Sequence, residues 1–325
     1  MTILLLISGL VLLVIGGELL VRGAVAIAGK LGVSPLMIGL TIVGMGTSMP
    51  ELAASVQAAL AGSPGIALGN IVGSNIANSM LILGVAALLA PIAVARGTLW
   101  RDGGVGVLAA VALLVIGLTT GLGRMAGLTL MVLMVGYLVL AYRQEKRAAA
   151  HSAAFDKAAA LENIDPALGT QTQRQPGWAV SLAFLLAGLV CIVGGGTLLV
   201  NAAVTIATEF GMSETLVGLT IVAIGTSLPE LVTSAVAALR KQSEVALGNV
   251  LGSNIYNVFF IGGITGTIAP TTVPESILGF DLPLLIAVSL AVMVLAWTGA
   301  RLSRIEGLAL VAGYALYIGF TAGLL

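Results

Sequence analysis

Apolar residues run along this chain in blocks too long for the core of a soluble domain. A helix needs about 20 consecutive, mostly apolar residues to cross a bilayer. Ten stretches qualify: 3–21, 36–60, 66–89, 103–119, 125–143, 178–200, 214–239, 245–268, 280–299 and 305–324. Only 144–176 collects Gln, Asn, Asp, Pro and the single His151 into a soluble-looking stretch. The pattern predicts an all-α polytopic membrane protein with ten transmembrane helices. It divides the chain into a first repeat at 1–143, a linker at 144–176 with a short helix over 148–161, and a second repeat at 177–325. His151 is read as solvated. No cleavable leader precedes the first span, so the chain is expected to start at Met1.

Composition agrees with this reading and removes several classes. Hydrophobic residues make up 58% of the 325 and charged residues 9%, where a soluble domain carries roughly 25% charged. Formal net charge is zero, so no basic patch argues for nucleic acid. The single cysteine, Cys191, gives no disulfide framework. Charge position sets the orientation. Every Lys and Arg except Arg124 falls in the loops after spans one, three, five, seven and nine. Positive loops stay cytoplasmic. The expectation is a multi-pass protein of the inner (plasma) membrane, with both termini extracytoplasmic and 144–176 cytoplasmic.

The halves match without a gap at an offset of 179. GLTIVGMGTSMPELAAS (39–55) against GLTIVAIGTSLPELVTS (218–234) gives twelve identities in seventeen positions. IALGNIVGSNIAN (66–78) against VALGNVLGSNIYN (245–257) gives nine in thirteen. Both are too many for chance, so the chain is an internal duplication. Five spans separate equivalent points, and five is odd. The second copy must therefore enter the membrane from the opposite side, which predicts two inverted-topology repeats of five. Secondary transporters commonly have this design, with the substrate near the midplane between repeats. Some channels share it.

Glu51 and Glu230 lie deep in spans two and seven at matching places, with no Lys or Arg at comparable depth. An unpaired carboxylate in hydrocarbon costs at least several kcal/mol, so bound cations or protons must balance them. Thr47, Glu51 and Ser55 are spaced i, i+4, i+8 on one helix face, and Thr226, Glu230 and Ser234 repeat this. On the next span Asn70, Ser74 and Asn78 form a second stripe, repeated as Asn249, Ser253 and Asn257. These are hard oxygen ligands, the set that suits Ca²⁺, Mg²⁺ and Na⁺. The spans offer no His, which argues against zinc. Mg²⁺ sheds water reluctantly and is disfavoured. Pro50 and Pro229 precede the glutamates and cannot donate to Gly46 O and Gly225 O. Both spans are therefore predicted to break near 44–47 and 223–226. Two carboxylates carry −2, which one Ca²⁺, two Na⁺ or two H⁺ cancels. Competition for shared ligands is a direct route to antiport.

GTSMPEL with GNIVGSNIAN, repeated as GTSLPEL with GNVLGSNIYN, resembles the paired repeats of the sodium/calcium exchanger family, in the calcium/cation antiporter superfamily. The resemblance implies ten spans, inverted repeats, and alternating access by sliding of spans one and six over the other eight. It also implies clustered Ca²⁺ and Na⁺ sites. By their places in the motif, Glu51 and Glu230 match the central carboxylates. Thr47, Ser48, Thr226 and Ser227 match ligands on spans two and seven. Ser74 and Ser253 match hydroxyl ligands, Gly44 and Ala223 match donors of backbone carbonyls, and Asn78 matches a central amide. Asn257 stands where some members carry Asp, so the core carries −2 rather than −3. Na⁺ is the favoured counter-ion and H⁺ the alternative. No cofactor, enzymatic activity or obligatory protein partner is expected; the partners are Ca²⁺, Na⁺ and the bilayer.

Three local expectations complete the reading. Gly- and Ala-rich spans one and six suit close helix contact. Glu18 is expected to pair with Arg22 one turn on. Ser34 with Pro35, and Ser213 with Glu214, are expected to open spans two and seven as N-caps.

Overall fold

The computed structural model describes residues 2–162, 177–209 and 223–321. It is helical almost throughout. The helices are α1 (Thr2–Leu31), the pair α2 (Pro35–Thr47) and α3 (Met49–Leu60), α4 (Pro64–Leu89), α5 (Leu99–Thr119), α6 (Arg124–Glu162), α7 (Trp178–Glu209), α8 (Ala223–Thr226), α9 (Leu228–Leu239), α10 (Ser243–Ile268), α11 (Ile277–Gly299) and α12 (Arg304–Thr321). Among the described residues, seven are long and apolar enough to cross a membrane, or eight if the bent pair α2 and α3 is one span. Helix α9 falls within one further predicted stretch, 214–239, and α12 overlaps another, 305–324. Residues 214–222 of the seventh stretch, and the Ser213–Glu214 cap, lie outside the described residues.

Helix ends follow local chemistry. Helix α1 runs ten residues past the predicted end at 21, because Arg22 and Lys30 are good helix formers. It stops where Gly32 takes a left-handed φ of 64° and Val33 N–H donates back to Ala28 O at 3.1 Å. Ser34 then caps α2 as expected, accepting from Met37 N, with Pro35 in the first turn. The linker helix is not separate. Helix α6 continues through Ala-rich sequence, free of Gly and Pro after Gly136, to Glu162. Residues 163–176 and the side chain of His151 lie outside the described set.

Two helices are central. In α4 and α10, 78% and 89% of the apolar window is buried, against 28% in each of the other five long helices. The outer helices turn large apolar side chains outward, among them Met125, Val190 and Ile305. A surface of that kind suits lipid rather than water. The chain is a helical multi-pass membrane protein.

Helices α1 and α7 form a second, smaller core of Leu13, Leu20, Ala24, Ile27, Leu185 and Ile192. Glycines seven residues apart line their seam. A Cβ on Gly9 would lie 2.7 Å from Gly195 O, one on Gly16 2.8 Å from Ile192 N, and Gly23 faces Leu185. Numbers rise along α1 as they fall along α7, so the helices are antiparallel and touch backbone to backbone. Glu18 bonds Arg22 as expected and also takes Arg240 beyond α9, whose Nε donates at 2.8 Å.

Loop contacts pair by predicted side. After spans three and nine, two short strands, β1 (Ile92–Ala93) and β2 (Arg301–Leu302), form an antiparallel ribbon with Ile92 opposite Leu302. After spans four and eight, Leu122 and Thr271 exchange backbone bonds. Ser34 N–H, after span one, donates to Glu145 Oε1, after span five, at 2.8 Å. Two-residue strands carry too little pattern to be seen in sequence.

Candidate cation site

Two helix breaks bring the glutamates inward. The stretches 44–47 and 223–226, expected to unwind, are helical. The breaks fall one residue later, at Ser48 (φ −85°, ψ 8°) and Ser227 (φ −91°, ψ 7°). Proline explains the displacement. Pro50 and Pro229 sit in the first turn of a new helix, where a missing N–H costs nothing, so the helix restarts just before each. The axes of α2 and α3 differ by 44°. Glu51 and Glu230 stand in the first turns of α3 and α9, where the positive helix ends favour anions.

The serines at the breaks cross between halves. Ser48 Oγ donates to Glu230 Oε1 at 2.9 Å, and Ser227 Oγ donates to Glu51 Oε1 at 3.2 Å. Ser227 Oγ also lies 3.4 Å from Ser74 Oγ, and Ser253 Oγ lies 3.4 Å from Glu230 Oε1. Thr47 Oγ1 lies 3.2 Å from Asn249 Oδ1 and 3.1 Å from Val43 O. Asn70 and Asn249 brace the glutamate turns identically. Asn70 Nδ2 donates to Glu51 O at 3.0 Å and Ser55 Oγ at 2.8 Å. Asn249 Nδ2 donates to Glu230 O at 3.2 Å and Ser234 Oγ at 2.9 Å.

Both carboxylates are 1% exposed, and among the described residues no ion pair reaches either. The ion pairs among those residues include Glu18 with Arg22 and Arg240, and Asp102 with Arg101. Each carboxylate keeps one oxygen without a partner, Glu51 Oε2 and Glu230 Oε2. Asn78 Oδ1 and Asn257 Oδ1 are buried and unpartnered in the same way. Unsatisfied buried acceptors are costly and call for an explanation. Four oxygens at matching positions of the two halves, two of them on unpaired acids, are what a desolvated cation needs. Among the described residues no group of three or more His, Cys, Asp or Glu could hold a metal. The donor set is therefore carboxylate, amide and hydroxyl, which suits hard ions.

Of the residues singled out by sequence, Thr47, Ser48, Glu51, Ser74, Asn78, Ser227, Glu230, Ser253 and Asn257 are all buried, and the bonds above draw most of them together. Gly44 is buried at the start of the last turn of α2, and its carbonyl accepts Ser48 N–H at 3.1 Å. Thr226 closes α8 and Ala223 opens it; the side chain of Ala223 lies outside the described set. Asn78 and Asn257 fall in π-helical turns, Asn78–Ile82 and Tyr256–Ile261. Such wide turns are frequent at functional sites.

Three buried groups escaped the sequence reading. Asn75 and Asn254, one residue after the site serines, bridge α4 and α10. Their spacing of three from Asn78 and Asn257 put them on a neighbouring face and was the available signal. Asp102 is fully buried, salt-bridged to Arg101 at 2.5 Å and bonded by Tyr137 Oη at 3.0 Å. It reads as a loop charge in sequence because it precedes the apolar run.

Comparison with known proteins places the chain in a family. The family model for sodium/calcium exchanger protein matches residues 1–143 and 180–323. The chain is 35% identical to the sodium/calcium exchanger MaX1 of Methanosarcina acetivorans, covering 97% of each. It is 33% identical to the inner membrane protein YrbG of Escherichia coli, over 97% of this chain and 94% of that one. Among solved structures it resembles the sodium-calcium exchanger NCX_Mj soaked with Na⁺ and Sr²⁺. There the TM-score is 0.82 at 30% identity, with 98% of this chain and 97% of that chain covered.

Proposed function

This chain belongs to the sodium/calcium exchanger family, and from that premise we propose that it exchanges Ca²⁺ for Na⁺ as a secondary active antiporter. The carrying observation is the set of four buried, unpartnered oxygens on Glu51, Glu230, Asn78 and Asn257. The charge of Ca²⁺ cancels that of two carboxylates, and its flexible coordination tolerates mixed oxygen ligands. Ser48, Ser227, Thr47, Thr226, Ser74 and Ser253 supply hydroxyls, and Gly44 and Ala223 supply carbonyls in the states that need them. Two Na⁺ cancel the same charge. Because both species need the same oxygens, one leaves as the other enters, and an empty site with two bare carboxylates resists crossing.

The architecture we assign is ten spans in two inverted repeats, 1–143 and 177–325, joined by 144–176. The antiparallel seam of α1 and α7, which are equivalent in the repeat, supports inversion. So does the pairing of loops by predicted side. Both termini are then extracytoplasmic and the linker cytoplasmic. No cofactor and no protein partner enters the cycle.

H⁺ coupling on the same site is the second reading. Asn257 favours it, because the core has only two acids and two protons would neutralise it. The test is Ca²⁺ flux in proteoliposomes, driven first by a Na⁺ gradient at fixed pH and then by a pH gradient without Na⁺. Na⁺-driven flux is expected; flux only under the pH gradient would replace Na⁺ with H⁺, and current without counter-transport would indicate a channel.

A further inference from the structure

Asn75 is 2% exposed on α4, three residues before Asn78. Its Nδ2 donates to the backbone oxygen of Asn254 at 3.1 Å. Its Oδ1 accepts from Asn257 Nδ2 at 2.9 Å. The polarity of this chain of bonds is fixed at its far end. A carbonyl oxygen can only accept, so the nitrogen of the Asn75 amide must face Asn254 and its oxygen must face Asn257. That oxygen in turn draws the nitrogen of Asn257. Asn257 Oδ1 is left on the side away from Asn75, where it is buried and unpartnered.

The second repeat does not return the favour. Asn254 matches Asn75 at the offset of 179, but its Nδ2 donates to Ser79 Oγ at 2.8 Å and its Oδ1 has no partner. The residue matching Ser79 is Val258, which has no hydroxyl. The relay therefore exists once and is aimed at Asn257 alone.

We propose that Asn75 is a positioning residue that holds the Asn257 amide with its oxygen toward the transported cation. The proposal rests on the reading of Asn257 as a ligand. Without the relay the amide can present N–H instead of oxygen, and N–H repels a cation. The relay also discriminates between residues at 257. A carboxylate there would set oxygen against Asn75 Oδ1. Turning Asn75 over would only move that conflict to the carbonyl of Asn254.

The test is Asn75→Leu, close in size and lacking both polar ends, in the full chain. Two readouts are used: Ca²⁺ binding to the purified protein by calorimetry, and Ca²⁺ flux in proteoliposomes. Residues that orient a metal ligand are worth roughly 10- to 100-fold in affinity. The expected result is a rise in Ca²⁺ Kd and flux KM of about tenfold or more, with the maximal rate held within about twofold. The same change in an Asn257→Asp background is expected to bring no further weakening, because the two oxygens of a carboxylate are equivalent. Equal weakening in both backgrounds would make Asn75 a packing residue, and no weakening in the parent would remove its role; either overturns the proposal. If Asn75→Leu does not fold, Asn75→Ser, too short to span the gap, is read in the same way. A parent protein that binds Ca²⁺ but shows neither Na⁺- nor H⁺-driven flux overturns the exchange reading and leaves the relay standing. A parent that binds no Ca²⁺ overturns both.

Discussion

Ser48 donates a hydrogen bond to Glu230, a residue of the other half of the chain, at 2.9 Å. The matching bond from Ser227 to Glu51 closes the exchange. Each half thus holds the acid of the other, and neither glutamate is positioned by its own repeat alone.

Removing one of these hydroxyls should weaken ion binding without abolishing it. A hydrogen bond to a charged group is worth about 1.5–3 kcal/mol, or roughly one to two decades in affinity. Ser48→Ala and Ser227→Ala are expected to raise the Ca²⁺ KM of vesicle flux by similar factors. The double variant should fall short of the product, because both changes act on one coupled cluster. Unequal single effects would show that the crossed bonds are not equivalent.

Glu51→Gln and Glu230→Gln keep shape and lose charge. Each is expected to reduce Ca²⁺ flux at least about a hundredfold, since one full charge is lost from a desolvated site. In chelator each should melt above the parent, because an uncompensated buried charge has been removed. Added Ca²⁺ should raise the melting temperature of the parent and not of the variants. Near-normal flux in either variant would remove these residues from the site.

Asp102 gives the opposite signature. It is buried against Arg101 and Tyr137, and breaking a buried pair from one side costs about 3–5 kcal/mol. Asp102→Ala should lower the melting temperature, while protein that remains folded keeps its Ca²⁺-dependent stabilisation. Loss of Ca²⁺ response in a well-folded variant would connect Asp102 to the site.

Asn257→Asp adds a third acid beside Glu51 and Glu230. It is expected to change ion preference or to add pH dependence to Ca²⁺ flux, read as the ratio of Na⁺-driven to pH-driven rates. An unchanged ratio and pH profile would make position 257 peripheral.

The helical membrane character and the paired motif were legible because hydrophobic length and close repetition are properties of the chain itself. Glu51 and Glu230 stood out because they are acids deep in apolar runs without cationic neighbours. What stayed hidden depends on contacts between distant segments. The hydrogen bond of Ser48 to Glu230 joins residues 182 apart, and no helical period connects them. The break was expected at 44–47 from the carbonyl that Pro50 cannot serve. It lies at Ser48 because a proline is better housed inside the start of a helix than opposite a frayed end. Asp102 was missed because burial by Tyr137, from another helix, cannot be seen from its own neighbours.

The glycine seam of α1 and α7 has a mechanical corollary. With backbone pressed on backbone, neither helix has side-chain slack to absorb a push, so any movement of one would carry the other along as one piston. Since they point in opposite directions, the piston looks alike from either face of the bilayer. In the exchange cycle proposed above, a stroke that uncovers the acids toward one compartment would seal them from the other, and a leak would require splitting the pair itself.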